Sequence, residues 1–167
     1  MTLIHDIDKK MIFDYLEDVK DPEIPVLSII DLGIVRDVIW KNDELEVFIT
    51  PTYSGCPAMD MISTNIRIML STLGFKKTTV ITVLSPAWTT DWISEEGKRK
   101  LKAYGIAPPN PKQQVCNQTS FAADEAVSCP QCNSYHTHRI SEFGSTACKA
   151  LYQCDDCKEP FDYFKCH

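Results

Sequence analysis

Two pairs of cysteines, Cys129-Pro-Gln-Cys132 and Cys154-Asp-Asp-Cys157, stand 21 residues apart near the end of this chain. A two-residue gap lets both thiolates of a tight knuckle face one ion. Two knuckles complete a tetrahedral shell with metal–sulfur bonds of about 2.3 Å, the ligand set of a zinc ribbon. Cys129, Cys132, Cys154 and Cys157 are therefore read as zinc ligands. A closed four-thiolate shell leaves no open position for substrate, so the expected role is structural. Coordination energy replaces the core that roughly forty residues cannot build alone. A redox or catalytic iron centre is the competing use of the same ligands.

The second sulfur of interest is Cys56, within Thr50-Pro-Thr-Tyr-Ser-Gly-Cys56-Pro57. The spacing predicts a helix starting at Pro57 with Cys56 at its N-cap. Unpaired amides and the positive end of the helix dipole would lower the thiol pKa there, and Gly55 leaves the backbone open to an approaching group. A reactive or metal-binding sulfur suits this position, and a small buried apolar side chain is the plainer role. A nucleophile needs a neighbouring base, yet the first 107 residues hold only His5. Asp21, Glu23, Asp31 and Asp37 could form an acid/base pair, but carboxylates beside proline and glycine more simply stabilise turns. Trp88 and Trp92 suit core cover or a ligand groove. No glycine-rich phosphate loop, GxSxG elbow or HExxH pair is present, and no catalytic residue is assigned. Near the knuckles, His136 and His138 would hold an ion only where a third ligand meets them. Cys166 and His167 are further donors, and Cys148, six residues before Cys154, could replace a knuckle ligand.

The elements that must position these groups follow from periodicity. Met11, Ile12, Tyr15, Leu16 and Val19 share a stripe of a helix over 8–20, capped by Asp8 and stopped at Asp21-Pro22. After a turn at Asp31-Leu32-Gly33, Ile34 to Trp40 and Leu45 to Thr50 read as a hairpin. A helix from Pro57 to Thr72 puts Ile62, Ile66, Met69, Leu70 and Leu73 inward and ends at Gly74. A strand follows at Thr78 to Leu84, then a helix from Ser94 to Tyr104 closed by Gly105. The expected class is α+β: a small αββαβα domain, its three-stranded sheet covered by helices, over residues 1–107. Residues 108–128, opening with Pro108-Pro109-Asn110-Pro111, read as a linker, and 129–167 as a zinc ribbon with strands at His136–Ile140, Cys148–Gln153 and Phe161–Cys166.

The net charge is −6, acidic on both sides of residue 108, which removes the positive field that nucleic-acid phosphates require. Lys98-Arg99-Lys100 with Lys102 reads as the solvated face of a helix. The N-terminus lacks a basic region followed by a long apolar stretch, and no segment approaches a membrane span. Eight cysteines with CxxC spacing and no export signal fit reduced thiols in a cytoplasmic protein better than a disulfide framework.

Asp21-Pro22-Glu23, Asp31-Leu32-Gly33 and Ser54-Gly55-Cys56-Pro57 resemble the signature of the SufT-like domain family, associated with iron–sulfur cluster assembly, over roughly residues 8–105. The stretches from Ser141 to Cys154 and from Glu159 to His167 resemble the zinc ribbons of the phenylacetate-degradation D proteins, the PaaD family. The resemblance implies an accessory factor, not itself an enzyme, for the multicomponent phenylacetyl-CoA epoxidase, a di-iron oxygenase served by a flavin and iron–sulfur reductase subunit. It carries the role of cluster or iron ligand onto Cys56 and the zinc role onto Cys129, Cys132, Cys154 and Cys157. One thiol cannot hold a cluster, so ligation is expected to be shared, by two copies of Cys56 across a homodimer with outside thiols or with a client. The ribbon is expected to dock the oxygenase or its reductase. The rival readings are an adaptor that stabilises the complex without carrying a cluster, and a thiol-dependent enzyme.

Overall fold

The computed structural model describes residues 8–41, 44–110 and 127–165. They divide into two compact units, residues 1–88 and 89–167.

In the first unit, α1 (Lys9–Leu16) is capped by the Asp8 carboxylate, which accepts the Lys10 amide at 3.2 Å. The helix stops four residues before the expected end. Beyond it the Ile29 amide donates to Val19 O and the Asp21 amide to Leu27 O, so the chain folds back on residues 27–29. Ile12 and Leu16 are buried as their spacing requires, while Met11 is 42% exposed against expectation.

β1 (Val35–Lys41) and β2 (Glu44–Ile49) pair antiparallel with Val38 opposite Val47. β2 shows the period-two signature of a half-buried strand. Leu45, Val47 and Ile49 are buried, and Glu44, Glu46 and Phe48 turn to the other face. The crossover helix α2 (Met59–Thr72) then returns the chain to β3 (Thr78–Thr82), parallel to β2 with Val47 opposite Val80. Ile62, Ile66 and Leu70 recur at four-residue intervals and are fully buried, each contributing on the order of 1.5–3 kcal/mol of burial. Leu73, expected inward, is exposed. The helix ends beneath it at Gly74, which takes φ 98° as a left-handed terminator. The sheet order is β1-β2-β3, with α1 and α2 packing on the sheet and on each other. Trp88 is buried, its indole N–H donating to Leu32 O at 2.8 Å, so it covers core.

In the second unit a 3-10 turn (Thr90–Trp92) precedes α3 (Glu95–Ala103), whose Ser94 cap accepts the Gly97 amide at 2.8 Å. On this helix Lys98 and Arg99 pair with Glu95 and Glu96, as a solvated face does. The chain continues into β4 (Ile106–Ala107), and β5 (Thr137–Ser141), β6 (Lys149–Cys154) and β7 (Pro160–Phe164) follow. The sheet order is β4-β7-β6-β5. The ribbon sheet therefore has four strands where three were expected, because Ile106 and Ala107 pair in parallel with Asp162 and Tyr163. The helix expected to close the first domain packs instead with β4, inside the unit that holds the ribbon. Of the expected linker, 111–126 lie outside the described residues, as do His5, Cys166 and His167. Among the described residues no helix is long and apolar enough to cross a membrane.

Candidate metal centre and thiol loop

The knuckles are built alike. In each, the residue after the second cysteine takes a left-handed conformation, Asn133 at φ 62° and Lys158 at φ 65°, which turns the chain sharply enough to bring both sulfurs to one side. Between them the four sulfurs of Cys129, Cys132, Cys154 and Cys157 lie within 4.8 Å of one another. Cys129 Sγ is 3.7 Å from Cys157 Sγ, and Cys132 Sγ is 3.5 Å from Cys154 Sγ. A tetrahedron of thiolates about 2.3 Å from zinc has edges of about 3.8 Å, so donor set and spacing both fit that ion.

The electrostatics point the same way. Amides of Cys157 and Asp156 aim at Cys154 Sγ and hold its pKa down to about 7. At Cys157 the Glu159 amide pulls the pKa down, but burial and the three neighbouring sulfurs push it up to about 12. Four sulfurs this close cannot all be anionic unless a cation neutralises them.

The remaining donors near the ribbon do not converge. His136 Nδ1 meets Asp156 Oδ1 at 3.3 Å, and His138 Nδ1 meets Asp155 Oδ1 at 3.0 Å, each as a separate exposed pair. Cys148 is buried, with the Thr146 hydroxyl 3.0 Å from its sulfur, and stands apart from the four. Beside it lies a polar cluster that spacing gave no means to anticipate. Lys149 is only 4% exposed, and its ammonium meets Asp162 Oδ2 at 3.5 Å. The Ser145 hydroxyl donates to the same oxygen at 2.8 Å, and Gly144 lies so near that a Cβ there would overlap Asp162 Oδ1.

Cys56 sits in the crossover between β2 and α2. The helix begins at Met59 with Ala58 at its cap, not at Pro57, so the thiol lies two residues before the cap. The Cys56 amide donates to Tyr53 O at 3.1 Å, closing a turn that leaves the side chain partly exposed. Burial raises the Cys56 pKa above the ordinary thiol value. The Ala58 amide and the Thr52 side chain oppose that, and the Glu23 and Asp21 carboxylates add to it. This corrects the expectation of a lowered pKa: partial desolvation and two nearby anions outweigh the helix terminus. Asp21 also makes the expected turn, its Oδ1 accepting the amides of Glu23 and Ile24 at 2.8 Å each. Asp31 and Ser28 exchange side-chain-to-amide bonds at 3.1 and 2.9 Å. The carboxylates thus do turn chemistry, and two of them also bear on the thiol, which nothing in their spacing from Cys56 reveals. Thr50, where β2 hands over to this loop, is 1% exposed, and its hydroxyl has no partner among the described residues.

A thiol with a raised pKa is a weak nucleophile at neutrality. Iodoacetamide labelling of Cys56, followed by peptide mass spectrometry, is expected to be slow near pH 7 and to keep accelerating past about pH 9. A rate that levels off below about pH 8 would contradict the burial described above.

A crossover α+β domain with one partly exposed thiol, followed by a ribbon whose four cysteines are grouped as for one metal ion, defines a two-module protein, and comparison with known proteins specifies both modules. Residues 9–83 match the family described as iron-sulfur cluster assembly protein, and residues 113–165 match the PaaD zinc beta ribbon domain. An Escherichia coli (strain K12) protein, named as the D component of a "Putative 1,2-phenylacetyl-CoA epoxidase", is 49% identical over 155 residues, 93% of this chain and 91% of its own length. This chain belongs to the same family of epoxidase D proteins. A Bacillus subtilis (strain 168) Fe-S protein maturation auxiliary factor, YitW, is 38% identical over 95 residues, 56% of this chain and 92% of that protein. Among solved structures, a Bacillus anthracis domain of unknown function, DUF59, covers 56% of this chain and 90% of its own, at TM-score 0.52 and 30% identity.

Proposed function

We propose that this chain is a non-catalytic accessory protein of phenylacetate catabolism that carries iron or an iron–sulfur cluster through Cys56 to the oxygenase or reductase of the phenylacetyl-CoA epoxidase. Zinc, held by Cys129, Cys132, Cys154 and Cys157, is structural and keeps the ribbon folded as the docking module. The observation that carries the reading is the partly exposed thiol of Cys56, the one cysteine among residues 1–88. The names of the relatives support it, since two bacterial proteins matching this half are maturation auxiliary factors.

A raised pKa suits a donor that must let go. Protons compete with the metal for the sulfur, so the cargo is held loosely. Release is a ligand exchange: a client thiol gives its proton to Cys56 as its own sulfur takes the iron, and no electron changes hands. Because one thiol cannot complete a cluster's shell, the rest of the ligands come from outside the loop.

The test is iron, acid-labile sulfide and zinc analysis of protein purified without oxygen, as the natural chain and as Cys56→Ala. Iron and sulfide are expected in the natural chain, falling at least about tenfold in the variant, with zinc unchanged at one per chain. Zinc alone in both forms, with client subunits still fully loaded in cells carrying the variant, would establish an adaptor instead.

A further inference from the structure

β3 is an edge strand. It pairs with β2, and among the described residues no strand pairs with its other side. A free edge presents unpaired amides and carbonyls, and soluble proteins blunt such edges with charges, proline, bulges or covering segments. Two other edge strands here carry such devices. β1 has a register irregularity between Val35 and Asp37 and the charged Arg36, Asp37 and Lys41. β5 has one between Arg139 and Ser141, with His138 and Arg139 exposed. β3, with the sequence Thr-Thr-Val-Ile-Thr, has an unbroken register and neither charge nor proline. Thr79 and Thr82 are exposed, and Leu84, just beyond the strand, is 63% exposed.

The backbone phase of this edge follows from its bonds to β2. Leu45 N donates to Lys77 O at 2.9 Å, and Val83 N donates to Ile49 O at 2.8 Å. Odd-numbered residues of the segment therefore direct their backbone groups to β2, and Thr78, Val80 and Thr82 direct theirs to the open side.

We propose that this edge is a homodimer interface, in which β3 of one copy pairs antiparallel with β3 of a second about a two-fold axis through Val80. Centring the axis there sets Val80 against Val80 and Thr78 against Thr82, so every outward residue meets an outward residue as a hydrogen-bonded pair. The flanking charges agree. Lys76 and Lys77 come opposite Leu84 and Val83 of the other copy, so no like charges oppose each other and the lysine stems lie along the exposed Leu84. The side-chain pairs across the axis, threonine against threonine, valine against valine and lysine stem against Leu84 with no opposed like charges, are what favour a second copy over an unrelated extended peptide.

Sedimentation of the full chain combined with amide hydrogen exchange tests this. A concentration-dependent dimer is expected, with the amides of Thr78, Val80 and Thr82 gaining protection as it forms. Val80→Pro removes the central donor at a position where an edge strand tolerates proline, and Thr82→Lys places a charge within the pairing. Each is expected to weaken dimerisation by at least about tenfold while the circular dichroism spectrum and melting temperature of the fold persist. Should Val80→Pro fail to fold, Thr82→Lys, at an exposed position, decides. The proposal is overturned by a chain that stays monomeric up to about 1 mM, by a dimer in which the three amides exchange freely, or by a dimer that Thr82→Lys leaves unchanged.

Discussion

Replacing Cys154 by serine is expected to strip the ribbon of metal and unfold residues 127–165. Cys154 is fully buried and pairs its sulfur with that of Cys132 at 3.5 Å, so the hydroxyl that replaces it takes one corner of the four-sulfur donor set, where it is a poor zinc ligand. The apolar packing directly around the metal ligands is thin: Ala107, Val127, Ala150, Tyr152, Phe161 and Tyr163 pack with the buried Cys129 and Cys154. Structural zinc contributes about 10–16 kcal/mol in comparable small modules, against a total domain stability of about 5–15 kcal/mol. Losing one of four ligands therefore removes more than the remaining core can supply. Zinc content by mass spectrometry should fall from one per chain to near zero, and amide protection across β5, β6 and β7 should vanish. A strong chelator should produce the same loss in the natural chain. Retention of one zinc and full protection in Cys154→Ser would show that the aromatic core, not coordination, holds this unit.

The second large effect is expected from Asp162→Ala. Lys149 is almost completely buried and meets the Asp162 carboxylate at 3.5 Å, while the Ser145 hydroxyl donates to the same oxygen. Deleting the carboxylate leaves an ammonium without its counter-charge in a desolvated position, which costs about 3–5 kcal/mol, more than the pair itself contributes. Lys149→Met in the Asp162→Ala background removes the stranded charge and should recover part of the loss, on the order of 1–4 kcal/mol. Denaturant unfolding of the four chains in that cycle measures it. If the losses of the two single variants add up to the loss of the double variant, the buried pair carries no coupling energy. Gly144 belongs to the same cluster, since any side chain there collides with the carboxylate.

Sequence reading succeeded where a local period or a ligand spacing carries the information. The CxxC knuckles, the stripe of Ile62, Ile66 and Leu70, the alternation in β2 and the glycine stop at Gly74 all follow from rules that span a few residues. It failed where distant segments decide. Two residues, Ile106 and Ala107, have no period to read, so their pairing with β7 was invisible and the last helix was grouped with the first domain. The start of α2 lies at Met59 and not Pro57 because Pro57 and Ala58 are taken up by a tight turn, Met59 N donating to Cys56 O at 3.4 Å, before the helical bonds begin with Ile62 N to Ala58 O. At the thiol itself, burial outweighs the Ala58 amide that still lowers its pKa, and the Asp21 and Glu23 carboxylates that add to the rise come from a motif more than thirty residues away. Lys149 and Asp162 are likewise a contact between neighbouring strands, set by register and not by composition.

The short pairing of Ile106 and Ala107 with β7 also limits how this chain can be cut or recombined. A graft beginning at the first knuckle would transplant a sheet with one border strand missing and the backbone of Asp162 and Tyr163 uncovered. A cassette that keeps all four strands of this sheet must therefore include β4, which precedes the first knuckle by more than twenty residues.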